Sequence, residues 1–248
     1  MKRLPDRYGV LTSLDPRESI SDIIEYADDT VFLDSSPTKA LSHLNALENE
    51  ASKVGLSINY SKTKYISNSD HLSHNKLEAK IERVQDYVYL GSHIISSKTD
   101  VEARIGKAWA IFWEMKKIWR AKNIPLPLKT KIFSQTCVPI LLYGSETWTI
   151  TKKLEKKINT FAMKAYRIIL NISWKDKVRN EDVLKLIKKN LLYETLKTRQ
   201  INYIKNIRDS PGESILKNYY LYCPEFGKTK LGRPPASYLN YIDDIVVD

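Results

Sequence analysis

From Thr99 to Arg208 the apolar residues of this chain recur at the spacing of one helix face, and nothing in that stretch alternates as a strand would. Val101, Ile105, Ala108, Phe112, Met115 and Trp119 make one stripe, opened by a capping-box pattern at Thr99 and Glu102. Arg104, Lys107, Lys116, Lys117 and Arg120 fall mostly off that stripe. Pro125 and Pro127 interrupt the pattern. A second helix is predicted from about Leu128 toward Tyr143, bent at Pro139. A third is predicted from about Thr151 to Leu170, with Leu154, Ile158, Phe161, Ala165 and Ile168 inward and Lys152, Lys153, Lys156, Lys157 and Lys164 outward or at the flanks. Asn180 is positioned to cap a short helix through Ile187, and a longer helix is expected over Leu191–Arg208.

The preceding residues read differently. Tyr8–Ser13 and Ser21–Tyr26 are strand-like, with the turn residues Asp15, Pro16 and Arg17 between them. Asp28-Asp29 follows, then the apolar run Val31-Phe32-Leu33, which together read as strand, acidic turn, strand. Ser36 is placed to cap a helix with Pro37 at its first position. Ala40, Leu41, Leu44, Leu47, Ala51 and Val54 keep helical spacing, and Gly55 stands where a helix-ending glycine belongs. Strands are expected at Leu56–Tyr60 and Tyr87–Ile94. The predicted class is α+β. Residues 1–96 form a mixed part, 97–208 a helical part and 209–248 a poorly patterned tail rich in Tyr, Pro and Gly.

A hydrophobic fraction of 42% in 248 residues can supply a packed core, which excludes global disorder. The net charge of +11 is uneven: residues 1–66 hold 8 Lys/Arg against 10 Asp/Glu, and residues 67–248 hold 32 against 19. The acidic end could hold cations and the basic remainder a polyanion, or the lysines could simply solubilise helix surfaces. Cys137 and Cys223 form no metal-ligand spacing, and the four histidines show none either. No apolar segment of signal-peptide or membrane-span type is present. These features predict an intracellular protein, nuclear or cytoplasmic, neither secreted nor membrane-bound.

Adjacent carboxylates raise each other's pKa unless a cation intervenes. Mg²⁺ prefers carboxylate and phosphate oxygens, and a metal pair can clamp the attacking and leaving oxygens of a phosphoryl transfer. Asp28-Asp29 on a turn between strands suits that chemistry, although turns favour aspartate in any case. The four-residue pattern is weak on its own, because Tyr241-Ile242-Asp243-Asp244 repeats it near the other end of the chain.

The segments after the first copy are more specific. Tyr26-Ala27-Asp28-Asp29-Thr30 resembles motif C of the reverse-transcriptase palm. Gly55-Leu56-Ser57-Ile58-Asn59-Tyr60-Ser61-Lys62-Thr63-Lys64 is similar to motif D of the LINE-type (non-LTR) retrotransposon enzymes, and Tyr87-Val88-Tyr89-Leu90-Gly91 to their motif E, the primer grip. Arg104-Ile105-Gly106-Lys107-Ala108 resembles the start of their thumb, and Leu142-Tyr143-Gly144-Ser145-Glu146-Thr147-Trp148 a recurring segment beyond it. The order and spacing are those of the family, over roughly residues 8–190.

The resemblance implies a partial antiparallel palm sheet with one helix, followed by thumb and post-thumb helices. It implies two-metal nucleotidyl transfer with Mg²⁺, on an RNA template and a DNA primer. Asp28 and Asp29 would be metal ligands and catalytic. Lys62 would stabilise or protonate the leaving pyrophosphate. Tyr26 and Ala27 would lie beside the primer end, Tyr89, Leu90 and Gly91 would hold the primer strand, and Arg104, Lys107, Lys116 and Lys117 would meet the nucleic-acid backbone. The family's earlier catalytic aspartate, its fingers and its motif B helix have no counterpart before Asp28. The expectation is therefore a truncated enzyme, inactive alone, with an exposed sheet edge through which it could self-associate. The alternatives are a non-catalytic, basic, nucleic-acid-binding helical protein, or a decayed retroelement product.

Overall fold

The computed structural model describes residues 23–34, 36–67, 75–211, 217 and 238–247. The expected strand at Tyr8–Ser13, Asp15 and Asp22 lie outside the described residues. The chain divides into two compact units, Met1–Tyr89 and Leu90–Asp248.

In the first unit, β1 (Ile23–Tyr26) and β2 (Asp29–Phe32) pair antiparallel in the register Ile24↔Val31 and Tyr26↔Asp29. Helix α1 (Pro37–Lys53) starts and stops as its local chemistry dictates. The Ser36 side chain accepts from the Lys39 N–H at 3.2 Å, and Pro37 occupies the first turn, where its missing N–H costs nothing. Gly55 takes φ +77° just beyond the helix, and the Leu56 N–H reaches back to the Ala51 carbonyl at 2.9 Å. Leu44 of α1 packs with Leu77 and Ile81 in a small core, joined by Leu41, Ile58, Tyr60 and Tyr65. Leu77 belongs to the short helix α2 (Asn75–Glu78). Strand β3 (Lys64–Tyr65) runs parallel to β4 (Glu82–Arg83), so among the described residues β1–β2 and β3–β4 are separate two-stranded sheets. The expected strand Leu56–Tyr60 is not formed. Asn59 folds the chain there into a turn instead, its carbonyl accepting from the N–H groups of Lys62 and Thr63 at 3.1 and 3.0 Å. The expected strand Tyr87–Ile94 is divided into β5 (Val88–Tyr89) and β6 (Ser92–His93), because Leu90 and Gly91 both take positive φ, +46° and +83°.

The second unit is helical: α3 (Ser97–Glu114), α4 (Lys116–Arg120), α5 (Leu126–Leu141), α6 (Lys152–Leu170), α7 (Asn180–Ile187), α8 (Leu192–Asp209) and α9 (Tyr238–Val247). The cap of α3 is Ser96, three residues before the one expected, accepting from the Thr99 N–H at 3.3 Å. The stripe from Val101 to Trp119 is not one helix. It breaks at Met115, and the buried Trp119 indole donates to the Phe112 carbonyl at 2.6 Å. The buried Lys129 ammonium then donates to the Trp119 carbonyl at 2.9 Å, closing the C-terminus of α4. Rings fill the centre: Phe112 stacks on Trp119 with centroids 5.0 Å apart, and Phe133 meets Tyr166 edge-on at 5.4 Å. Such pairs contribute roughly 0.5–1.5 kcal/mol each beyond their area.

The region read as patternless holds α9. Ile242 and Ile245 pack on Ile204 and Ile207 of α8, and Tyr241 donates to the Gln200 Oε1 at 2.7 Å. Among the described residues no helix is long and apolar enough to cross a membrane.

Candidate functional site

The acidic pair stands at the tip of the β1–β2 hairpin. With Tyr26 opposite Asp29, only Ala27 and Asp28 make the turn, and Ala27 bends it in the left-handed region at φ +54°. An alanine there costs about 1–2 kcal/mol relative to an unstrained backbone, so the turn is held against its own preference. Residues opposite each other in a ladder put their Cβ atoms about 5 Å apart on one face. Tyr26 and Asp29 therefore share a face with Ile24 and Val31. Phe32 belongs to the other face, where its ring lies 5.6 Å from that of His43 on α1. The Tyr26–Asp29 face is turned away from α1, and Tyr26, Ala27, Asp28 and Asp29 are all exposed.

Neither carboxylate forms an ion pair among the described residues. Two free, hard oxygen donors on adjacent residues fit part of what Mg²⁺ requires, the remaining positions falling to water and phosphate. The side chain of Asp34, a few residues on, is 5% exposed and faces the His43 Nδ1 at 3.0 Å. Among the described residues no group of three or more carboxylates, imidazoles or thiolates comes together.

Lys62 is exposed on the turn that Asn59 organises. The Asn59 Oδ1 accepts from the Ser61 hydroxyl at 2.7 Å and from the Lys62 N–H at 3.2 Å. Asn59 lies within the strand expected at Leu56–Tyr60. The signal was present, since an asparagine that can bond its own downstream backbone favours a turn over a strand.

The residues matched to the primer grip fall on either side of the division between the units. Tyr89 ends the first, half-buried, with its hydroxyl unpaired among the described residues. Leu90 and Gly91 open the second and are gripped by its helices. The Tyr143 hydroxyl donates to the Leu90 carbonyl at 2.9 Å, and the Arg104 guanidinium donates to the Gly91 carbonyl while lying 4.2 Å over the Tyr143 ring. Arg104 is thus buried, contrary to its reading as an off-stripe surface cation; burial is possible because Gly91, Tyr143 and, at 3.8 Å, Asp100 replace water around it. Lys107, Lys116 and Lys117 are exposed.

Asp100 is the centre of the clasp. Its carboxylate accepts from the His93 N–H at 3.2 Å and from the Trp148 indole at 2.8 Å. Gly144, at φ +69°, lies so near Ser92 that a Cβ there would meet the Ser92 Oγ at 2.5 Å. The Leu142–Trp148 segment thereby locks onto residues 90–100, a role its amino acids did not announce.

The chain is similar to a transposon-derived protein. Over 144 residues it is 28% identical to one from Caenorhabditis elegans whose own function is uncharacterized. The match covers 54% of this chain and 51% of the relative, so the chain spans about half the length of that protein. No family model matches the chain, and no solved structure matches it. The likeness supports a transposon origin.

Proposed function

We propose that this chain is part of the reverse transcriptase of a LINE-type (non-LTR) retrotransposon, with Asp28 and Asp29 as its metal-binding pair. The observation that carries the reading is the tight antiparallel hairpin that presents both carboxylates at its tip, without an ion pair among the described residues. The transposon-derived relative and the ordered motif-like segments support it. When bound, Mg²⁺ would supply charge stabilisation for nucleotidyl transfer. Tyr26, on the Asp29 face, would line the approach of the primer end. Lys62 presents its ammonium from the turn that Asn59 holds, where it could stabilise a leaving diphosphate. The clasp on Leu90 and Gly91 would fix a primer-holding turn.

Among the described residues the site offers two carboxylates and no third ligand from a separate strand, so primer extension by these 248 residues alone is expected to be absent. Two measurements test the proposal. Mn²⁺ binding followed by electron paramagnetic resonance should be present in the chain and lost in Asp28→Asn/Asp29→Asn, whereas binding that survives the double substitution would sink the metal assignment. A primer-extension assay with Mg²⁺ or Mn²⁺ should show no product, and template-dependent extension would overturn the expectation of inactivity.

A further inference from the structure

One face of α6 carries unneutralised positive charge beside an exposed indole. Lys152, Lys156, Lys164 and Arg167 line one shallow depression along the helix, and Lys164 and Arg167 also line an adjoining one that Trp109 and Trp113 of α3 border. Fifteen residues of helix separate the first and last cation, so the row runs for about 22 Å.

The charges on this face differ from those on the next. Lys157, one residue round the helix, is paired with Glu102 of α3. Lys152, Lys156 and Lys164 are exposed and have no such partner among the described residues. Arg167 donates to the Val178 carbonyl and the Asn180 Oδ1, at 2.9 and 2.8 Å; both acceptors are neutral, so its charge is oriented but not cancelled. Glu155 is the one carboxylate in the lining.

The aromatic end is built rather than incidental. Trp109 packs edge-on to Phe161 at 4.7 Å and to Phe112 at 5.2 Å, which fixes its plane in the core. Trp113 stacks on Trp109 at 6.0 Å with 20° between the planes and is 48% exposed. An indole backed by a fixed ring, with its outer face in water, offers a platform for a flat π system.

We infer that this groove along α6 binds single-stranded nucleic acid, the phosphates following the Lys152–Arg167 row and an unpaired base stacking on Trp113 in the depression that adjoins it. A cationic track combined with an aromatic platform is what sequence-tolerant single-strand binding requires. A duplex offers base faces only at its ends, so the half-exposed indole favours the single strand. The inference does not rest on the proposed polymerase ancestry and uses none of the residues carried over from it.

The test is fluorescence anisotropy of the full chain with a labelled oligothymidylate of about 12 nucleotides, within the length such tracks cover. Each single-strand phosphate contact adds about 0.7 to the slope of log affinity against log salt. Lys156→Gln/Lys164→Gln should therefore flatten the slope by about 1.4 and weaken binding at least about tenfold at low salt. Lys122→Gln/Lys131→Gln removes the same charge outside the groove and should change the slope far less. The oligonucleotide should quench tryptophan fluorescence in the wild type, and Trp113→Ala should abolish most of that quench. Equal effects from the two lysine pairs, or an unchanged quench in Trp113→Ala, would overturn the groove while leaving the ancestry intact. Tighter binding of a duplex of equal length would overturn the single-strand assignment, and no binding at all would overturn the inference outright.

Discussion

The Trp148 indole N–H donates to the Asp100 carboxylate at 2.8 Å, joining residues 48 positions apart in a fully buried contact. The other oxygen of Asp100 accepts from the His93 N–H, and Arg104 stands at 3.8 Å. Three separate segments thus satisfy one buried charge. Asp100→Ala would leave the Arg104 guanidinium and the Trp148 N–H without it, and truncating one partner of a buried ionic contact costs roughly 3–5 kcal/mol. The expected result is a large drop in the urea midpoint of the helical unit, with Asp100→Asn losing less because it keeps a carbonyl acceptor. Equal stability of Asp100→Ala and wild type would show that the clasp contributes nothing.

Gly144 is the position where this clasp tolerates no side chain. Its φ of +69° alone disfavours alanine by about 1–2 kcal/mol, and the added Cβ would also meet the Ser92 Oγ. Gly144→Ala is expected to destabilise by more than the backbone cost, and Ser92→Gly in the same chain should recover the excess. A double-mutant cycle by chemical denaturation measures this coupling; strictly additive effects would rule out the steric contact.

Burial pushes the Tyr166 hydroxyl up to about 12 from an ordinary value near 10. A phenol with a raised folded-state pKa holds its proton longer folded than unfolded. Its contribution is therefore complete below pH 10 and is lost as pH climbs from 10 to 12. The loss should amount to about 3 kcal/mol across that window. Tyr166→Phe should flatten the alkaline limb of stability against pH. Tyr65 is also raised to about 12, by burial first and then by its hydrogen bond to Glu78, and should give the same sign in the first unit.

Local chemistry accounts for what the amino-acid order made legible. Ser36, Pro37 and Gly55 act within a few residues of themselves, and all three sit as expected. The helices from Lys152 to Asp209 follow strong periodicity and keep nearly their expected bounds. Errors arose where distant partners decide. At the Met115 break the Trp119 indole caps the freed Phe112 carbonyl, and Lys129 closes the short helix that follows, which no stripe of apolar residues encodes. Arg104 reads as a surface cation until Gly91 and Tyr143 surround it. In the acidic hairpin, strand, acidic turn and strand were readable, but Asp29 opens β2 opposite Tyr26 instead of standing in the turn, and the left-handed Ala27 was not readable, because alanine seldom takes that conformation.

The two Tyr-x-Asp-Asp copies separate on the same grounds. Asp28 and Asp29 are exposed on a hairpin. Tyr241-Ile242-Asp243-Asp244 lies in α9, where Tyr238, Tyr241, Ile242 and Ile245 recur at helical spacing. That spacing was available in the amino-acid order and was masked by the Pro- and Gly-rich residues before it. Ile242 is fully buried against Ile204 and Ile207, so Ile242→Ala should cost about 2–5 kcal/mol. Asp243→Asn/Asp244→Asn should leave Mn²⁺ binding unchanged, since a helix with its apolar face on α8 does not form the strand-to-strand turn that presents Asp28 and Asp29. The urea midpoint and the metal titration should therefore respond to opposite copies: stability to Ile242, metal to Asp28 and Asp29. Loss of metal on substituting the second pair would show that the tetrapeptide, rather than the hairpin, is what matters.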